Sequence, residues 1–420
     1  MSVKLPTDNV MTPATPELGS TKNNLKKEHG GRVVAMFCVL LAAYMLMAAD
    51  RYLFPVLAPD VRIEFGFSLA DTGLLTTIFT LGLGLGGLPT ALLLARFSRK
   101  SVLMMGAAIF SVGTILTTVA HGFWLMVLCL AVTGIGMAML ATAMFALAAS
   151  YFTEYRAAAI GSVNFCYGLG GFIGPILATA MLTVYGTWHA PMVAFGIFGF
   201  VIIALIAALV RAWFTETRHV SLLPGHAHGA QTLVNRNSIL LAVLCLVHGL
   251  SMYGFLGMYP TFLRESLHYT PKAAGLVMSF FGLGALASII GGWIGDHFSP
   301  SLVLSTSFFC VAILGYFLFQ PSATVVMREI LTLLYGVIGS ALLYVNLAAY
   351  HVKTLRSSLS NRGSGMFVTS FYGPAAFGGY LIGVIAAHGG WLVAGECQIS
   401  LLCVIGGLLA LALRPDQMAL

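Results

Sequence analysis

The sequence predicts an all-α integral membrane protein, with twelve transmembrane helices in two pseudo-symmetric six-helix bundles. Three observations carry this. Of 420 residues, 59% are hydrophobic and 8% charged, against about 45–50% and about 25% in ordinary soluble chains. Apolar stretches that supply the roughly 20 residues needed to cross a bilayer recur along the whole chain. The two halves also repeat each other at a spacing of about 200 residues, as transporters built from parallel repeats do.

The first apolar run, RVVAMFCVLLAAYMLMAADRYLFPVLAPDV (Arg32 to Val61), predicts a span over 32–57. The next runs place spans at 70–95, 101–120, 122–150, 157–185 and 188–212. Residues 214–236, FTETRHVSLLPGHAHGAQTLVNR, are the one long polar gap and read as a linker between bundles 32–213 and 237–413. After it come spans at 237–262, 272–296, 300–320, 323–352, 362–387 and 390–413. Residues 1–31 are polar, with no short apolar run before a small-residue cleavage site, so they read as a mobile tail without a secretory signal. Residues 414–420 form a second short tail.

The positive charges orient the chain. Of 21 lysines and arginines, Arg51 and Arg328 fall inside spans, and Arg62, Arg264 and Lys272 fall on the loops of one side; all the others fall on the side of the termini. The positive-inside rule then puts both termini in the cytoplasm, and a bacterial inner membrane is the expected location. The net charge of +7 is scattered over short loops without a basic stripe, which argues against a nucleic-acid partner. Seven cysteines lie in apolar stretches without a CxxC, and read as small core residues, neither disulfides nor metal ligands.

The repeat is visible in two places. PDVRIEFGFSLADTGLLTTIFTLGLG from Pro59 matches PTFLRESLHYTPKAAGLVMSFFGLG from Pro260, aligning Gly73 with Gly275, Phe79 with Phe281 and Gly82 with Gly284. FCYGLGGFIG (Phe165 to Gly174) matches FYGPAAFGG (Phe371 to Gly379). ALLLARFSRK, residues 91–100, resembles the signature G-x-x-x-D-R-x-G-R-K of the major facilitator superfamily, keeping Arg96, Arg99 and Lys100 but holding Ala91, Ala95 and Ser98 at the Gly, Asp and Gly positions. Its second-half copy, GGWIGDHFSP, keeps Gly292 and Asp296, and GLGGFIGP (Gly168 to Pro175) is similar to that family's helix-five Gly-Pro signature. The resemblance covers essentially the whole membrane part and implies the major facilitator fold. It also implies gating roles for Arg96, Arg99, Arg156, Asp296, Gly174 and Pro175, with Asp296 meeting Arg156 or the start of helix five. Leu130 stands where the family often has a helix-four Arg, so that role is not carried over. The Asp-Arg pair in helix one, with Pro59 and the segment Phe65 to Ser68, looks most like the anion:cation symporter and spinster-like branches.

Few charges fall inside the spans: Asp50, Arg51, Arg328, Glu329 and Glu396. A charge in mid-membrane costs roughly 2.5–3.5 kcal/mol on insertion scales, so Asp50 and Arg51 require a compensating environment. A structural ion pair that fixes helix one is the simpler reading. The sharper one gives Arg51 to an anionic substrate group, which a guanidinium binds through two parallel hydrogen bonds, and gives Asp50 to a proton. A carboxyl group holds its proton more tightly when buried and less tightly beside a cation, so an arriving anion changes the balance. Neighbours on a helix point about 100° apart, so the two side chains face different ways. Tyr44 shares the face of Arg51.

Arg328 and Glu329 read as an interfacial pair, and Glu396 as peripheral. His248 is either a satisfied core histidine or a titrating group on a cavity helix. Asn164, Tyr167, Tyr253, Tyr344, Asn346 and Tyr372 are further candidates for substrate contact, with helix packing as the alternative. Tyr167 and Tyr372 hold equivalent places in the repeat. His219, His226 and His228 sit in a Gly/Pro/Ser linker with no carboxylate cluster, which reads as solvated linker, so no metal is expected. No P-loop and no catalytic constellation is present, so neither ATP, another cofactor nor enzymatic activity is expected. The expectation is a monomeric secondary transporter that moves a small carboxylate-type organic anion with protons by alternating access. An exporter of drugs or lipid-like amphiphiles is the alternative, and a membrane-embedded enzyme or sensor has no support in the sequence.

Overall fold

Polar side chains cap the starts of several helices, and prolines and glycines break others. A computed structural model describes residues 17–152, 155–216, 230–356 and 359–418. Helix α1 runs Glu17–Arg51, steps at Tyr52, and continues as Leu53–Phe65. The step has a local cause: Pro55 lacks an N–H and its ring crowds the carbonyl four residues back, which is that of Arg51. Ser68 and Asp71 form a reciprocal capping box that starts α2, which runs Leu69–Thr77 and Phe79–Arg96. The other helices of this half are α3 (Arg99–Thr117, capped by Ser98), α4 (Phe123–Tyr151), α5 (Arg156–Tyr185) and α6 (His189–Leu209).

Asn235 caps α7 (Arg236–Thr261, prolonged by a π turn Phe262–Ser266). Thr270, Ser299 and Thr324 cap α8 (Pro271–Ala285 and Ser288–His297), α9 (Pro300–Leu318) and α10 (Val325–Tyr335). A nine-residue π stretch, Gly336–Tyr344, interrupts α10 before it resumes as Val345–Lys353. Helix α11 starts with Ser360–Ala375 and resumes at Gly378. The chain turns at Gly390 (φ 80, ψ 169), a backbone conformation open to glycine, and α12 ends with Leu402–Ala410. Ten helices are long and apolar enough to span a membrane; the two parts of α8, bent by 42°, add an eleventh, and the stretch Arg362–Ala410 divides at Gly390 into two. The described residues thus give the twelve spans expected. Helix α1 starts and ends outside the expected 32–57, because helix continues past the apolar run at both ends.

The start of α1 and the ends of α6 and α12 share one side, here the terminal side. The Arg211 N–H reaches Met36 Sδ at 3.3 Å, and Asn237 brackets the backbone of Arg414 at 2.9 and 3.0 Å. Of the linker, Ala230 is bonded to Thr354 and Arg356 at 3.0 and 3.2 Å; His219, His226 and His228 lie outside the described residues.

Toward the far side the two halves are in close contact. A Cβ at Gly73 would fall 1.9 Å from the Gly379 carbonyl oxygen, and one at Gly282 would fall 2.2 Å from Gly171, so α2 meets α11 and α5 meets α8 backbone to backbone. Thr77 donates to Ala376 O at 2.8 Å across the same seam. At its rim two ion pairs cross between the halves: Arg62 with Glu265 at 2.7 Å, and Arg264 with both carboxylate oxygens of Asp60. Toward the terminal side these contacts end: a Cβ added at Gly87, Gly161 or Gly365 would meet nothing within 4 Å. Partly exposed pairs such as these contribute about 0–1 kcal/mol each, enough to bias the closed seam without locking it. Reversing one charge by Arg264→Asp is therefore expected to raise thiol labelling of a cysteine placed at the buried Thr76 by about fivefold. Adding Asp60→Arg restores the protection; equal labelling in all three backgrounds would show that the rim pairs do not hold the seam.

Candidate functional site

Because Arg51 precedes the step in α1, its side chain projects into the gap between the halves. It ends at a cavity of about 280 Å³ on the terminal side of the seam. Arg51 Nη1 donates to Tyr167 Oη at 3.1 Å, and its guanidinium lies over the rings of Tyr167 and Phe79 at 5.3 and 5.9 Å. Its Nε is buried with no hydrogen-bond partner. One protein hydrogen bond and two aromatic faces leave most of its five donors unused by the protein, so the group is held but not saturated.

Tyrosines organise the surroundings in two pairs. Tyr167 shares a hydroxyl–hydroxyl hydrogen bond of 3.2 Å with Tyr52, and Tyr372 one of 2.9 Å with Tyr344. Tyr344 ends the π stretch of α10, an irregularity that often accompanies function, and Ser340 within it also lines the cavity. The floor is pseudo-symmetric. Tyr52 of α1 packs on Phe281 of α8 at 6.2 Å between ring centres, and its repeat partner Tyr253 of α7 packs on Phe79 of α2 at 6.0 Å. Phe79 and Phe281 are themselves the aligned pair of the repeat.

Asp50 faces away from this cavity, as the 100° rotation requires. Thr114 of α3 donates to its carboxylate, with 3.1 and 3.0 Å to the two oxygens. A separate small cavity of about 20 Å³ beside Asp50 is walled by Leu53, Phe54, Phe79, Leu130, Met137 and Met192, with Arg51, Thr114 and Thr133 as its other polar residues. Among the described residues Asp50 makes no ion pair, so the Asp50–Arg51 ion pair, one reading of the sequence, is not formed.

Of the substrate-contact candidates, Tyr44, Arg51, Asn164, Tyr167, Tyr253, Tyr344 and Tyr372 line the one cavity. Two do not. Asn346 donates to Gly291 O at 2.9 Å and to Leu342 O at 2.8 Å, filling the space that Gly295 leaves between α8 and α10. His248 is fully buried behind the cavity wall, with Nε2 3.0 Å from Gly339 O and its ring against Phe308 and Phe371. Both satisfy packing needs of the second half.

Of the gating candidates, Asp296 and Arg99 bond within their own halves. Asp296 pairs with Lys353 at 2.7 Å, both in the second half, and the side chain of Arg156 lies outside the described residues. Arg99 donates to Ser150 Oγ at 2.5 Å and Thr215 O at 3.3 Å, joining α3 to the ends of α4 and α6, while Arg96 is exposed. Gly174 packs on Ala49 just before Asp50, and the carbonyl of Pro175 is at the α5–α8 contact opposite Gly275. Arg328 makes no pair with Glu329. It is fully buried and donates to Leu318 O and Gln320 O at 2.7 and 2.5 Å, tying off the end of α9. Glu329 and Glu396 are half-buried.

Sequence reading missed Tyr52 and the rim charges. Tyr52 is the repeat equivalent of Tyr253, which that same alignment singles out. Asp60 and Arg62 lie just past Pro59, and Arg264 and Glu265 just past Pro260, so the aligned prolines bring two acids and two bases to the same rim.

The family model described as Major Facilitator Superfamily matches residues 40–379. A probable sugar efflux transporter of Helicobacter acinonychis is 26% identical over 65% of this chain and 68% of its own length. A probable L-galactonate transporter of Escherichia coli is 23% identical over 76% of this chain and 74% of its own. Among solved structures, an inward-facing, unoccupied bacterial homolog of the human lysosomal transporter Spinster superposes with a TM-score of 0.68, at 16% identity, covering 91% of this chain and 95% of that one.

The divided roles can be tested directly. Asn346→Ala is expected to lower thermal stability by about 0.6–2 kcal/mol, the range of interhelical hydrogen bonds in membranes, while ligand affinity stays within twofold. Tyr167→Phe, which removes the hydroxyl on Arg51, reverses the pattern: affinity falls about tenfold, with little change in melting.

Proposed function

Since the chain belongs to the Major Facilitator Superfamily, we propose that this transporter carries a small carboxylate-type organic anion in step with protons, by alternating access. The observation that carries this reading is that, among the described residues, Arg51 is the only charged one lining the cavity. A guanidinium held on aromatic faces with free donors matches a carboxylate, which accepts two parallel hydrogen bonds from it. The tyrosine hydroxyls, Asn164, Thr142 and Ser340 supply neutral hydrogen bonds for the rest of a polar cargo. The relative named for L-galactonate supports an anionic cargo.

Asp50 is the proton carrier in this scheme. It adjoins Arg51 at the step in α1, so displacement of the guanidinium by a bound anion is transmitted along one peptide unit to the carboxyl group and its Thr114 contact. The wall around Asp50, which includes Arg51, suits a proton better than a metal cation, which requires a cage of oxygens. We place the termini in the cytoplasm of a cell whose inner membrane holds the protein as a monomer. The far side then faces away from the cytoplasm, and the sealed far side corresponds to an inward-facing arrangement.

A second reading, export of drugs or lipid-like amphiphiles, draws on the apolar part of the same wall: Leu83, Ala138, Phe145, Met252, Val368 and Phe371. Thermal-shift screening of the purified protein separates the two. Stabilisation by carboxylates supports the first, and stabilisation by cationic or neutral amphiphiles alone supports the second.

In proteoliposomes, Arg51→Gln is expected to weaken uptake of the stabilising anion at least tenfold, in line with about 1.5–3 kcal/mol for a hydrogen bond to a charged group. Unchanged affinity would remove Arg51 from the site. Asp50→Asn is expected to abolish accumulation driven by an inward proton gradient while anion exchange at equal pH persists. Gradient-driven accumulation by the Asn variant would assign the proton elsewhere.

A further inference from the structure

A second cavity, of about 620 Å³, lies on the terminal side between the start of α1 and the end of α6, on the outer surface of the first half. Arg32 and Ala35, with Met36 and Val39, line it from α1; Ala208, Leu209, Arg211 and Trp213 line it from α6 and the residues after it. Its polar and apolar parts are ordered along the membrane normal. Arg32 and Arg211 stand at the terminal end, and Val39 with Ala208 leads into the span. Trp213, 42% exposed, stands beside Arg211, and amphipathic indole rings gather at headgroup level.

The groove is held in shape. The Arg211 N–H on Met36 Sδ fixes the end of α6 against α1. The terminal carbonyls of α6 carry partial negative charge that would repel an anion. Two of them, Ala207 O and Val210 O, accept from Lys100 Nζ at 3.0 and 2.7 Å, which offsets that charge. Arg32 and Arg211 are the charged residues among the described residues that line the groove.

We propose that this groove binds an anionic phospholipid, its phosphate between Arg32 and Arg211 and an acyl chain along Val39 and Leu209. Two guanidinium groups from different helices recognise phosphate, and the apolar lower wall demands a tail, so a membrane lipid is the occupant and a soluble phosphate is not. The groove is on the lipid-facing side of α1, away from the Arg51 cavity. It stands or falls independently of the transported cargo.

The test uses the full chain in nanodiscs of phosphatidylcholine, with and without phosphatidylglycerol. Native mass spectrometry is expected to show phosphatidylglycerol retained on the wild-type protein, with a melting temperature several degrees higher than in phosphatidylcholine alone. The Arg32→Gln/Arg211→Gln variant loses both effects, while its melting in pure phosphatidylcholine stays at the wild-type value. The Arg32→Lys/Arg211→Lys variant keeps most of the stabilisation, and serves as the comparison if the Gln variant melts early. Equal retention and equal stabilisation in wild type and Gln variant would overturn the proposal. So would the same stabilisation from soluble glycerol phosphate, which has the anion but no tail.

Discussion

A guanidinium held in the gap between two helical bundles is the constraint on which the rest of the molecule depends. Arg51 is too costly to leave in a lipid-like interior without compensation, and the fold compensates it only in part. Two aromatic faces and one tyrosine hydroxyl hold its position, while its remaining donors are left to the cavity. The step at Tyr52, produced by Pro55, is what permits this. An unbroken helix would keep the Arg51 carbonyl tied into the ladder and give α1 one straight axis from Glu17 to Phe65. With the step, the half of α1 beyond Tyr52 joins the seam, and the half before it follows the cavity wall.

Closure of the far side follows the same economy. Backbone contact through Gly73 with Gly379, and Gly171 with Gly282, makes the seam tight without large side chains that would have to unlock. The rim pairs are partly exposed, so water can replace each of their bonds as the halves separate. A seam made of small residues and weak ion pairs can open at a cost that a bound ligand can offset. A buried, fully desolvated ion pair at the same place would resist opening.

Much of this was readable before any coordinates. Hydropathy located the twelve spans, and the repeat alignment located Gly73, Phe79 and Phe281, all of which take part in the contact between halves. The burial cost of Arg51, the helical spacing to Tyr44 and the repeat placing Tyr167 opposite Tyr372 pointed to residues that share one cavity. Other features depend on tertiary context. Asn346 and His248 carry the same polar signal as Asn164 and Tyr253, and only the packing of α7 and α8 against α10 shows that their partners are backbone carbonyls. Arg328 reads as half of an acid-base pair with Glu329, yet the frayed end of α9 supplies its acceptors. Asp296 has a partner that the sequence reading did not name, Lys353 at the end of α10 in its own half.

The repeat also shows where the halves differ, and that difference bears on mechanism. Pro59 aligns with Pro260, so Tyr52 aligns with Tyr253, Arg51 with Met252 and Asp50 with Ser251. The tyrosines keep matching roles, each packing on a phenylalanine of the opposite half. The charges do not: Met252 lines the cavity as an apolar surface, and Ser251 bonds Tyr335 Oη at 3.3 Å. One half therefore carries Asp50 and Arg51, and the other supplies hydroxyls and rings at the matching places. In the proposed cycle the anion and the proton stay with the first half throughout, and the second half moves past them. Symmetry of the frame lets either side of the seam close with similar contacts. Asymmetry at this one pair of positions confines the charge to a single helix, so that loading the cavity and loading Asp50 act on the same step in α1.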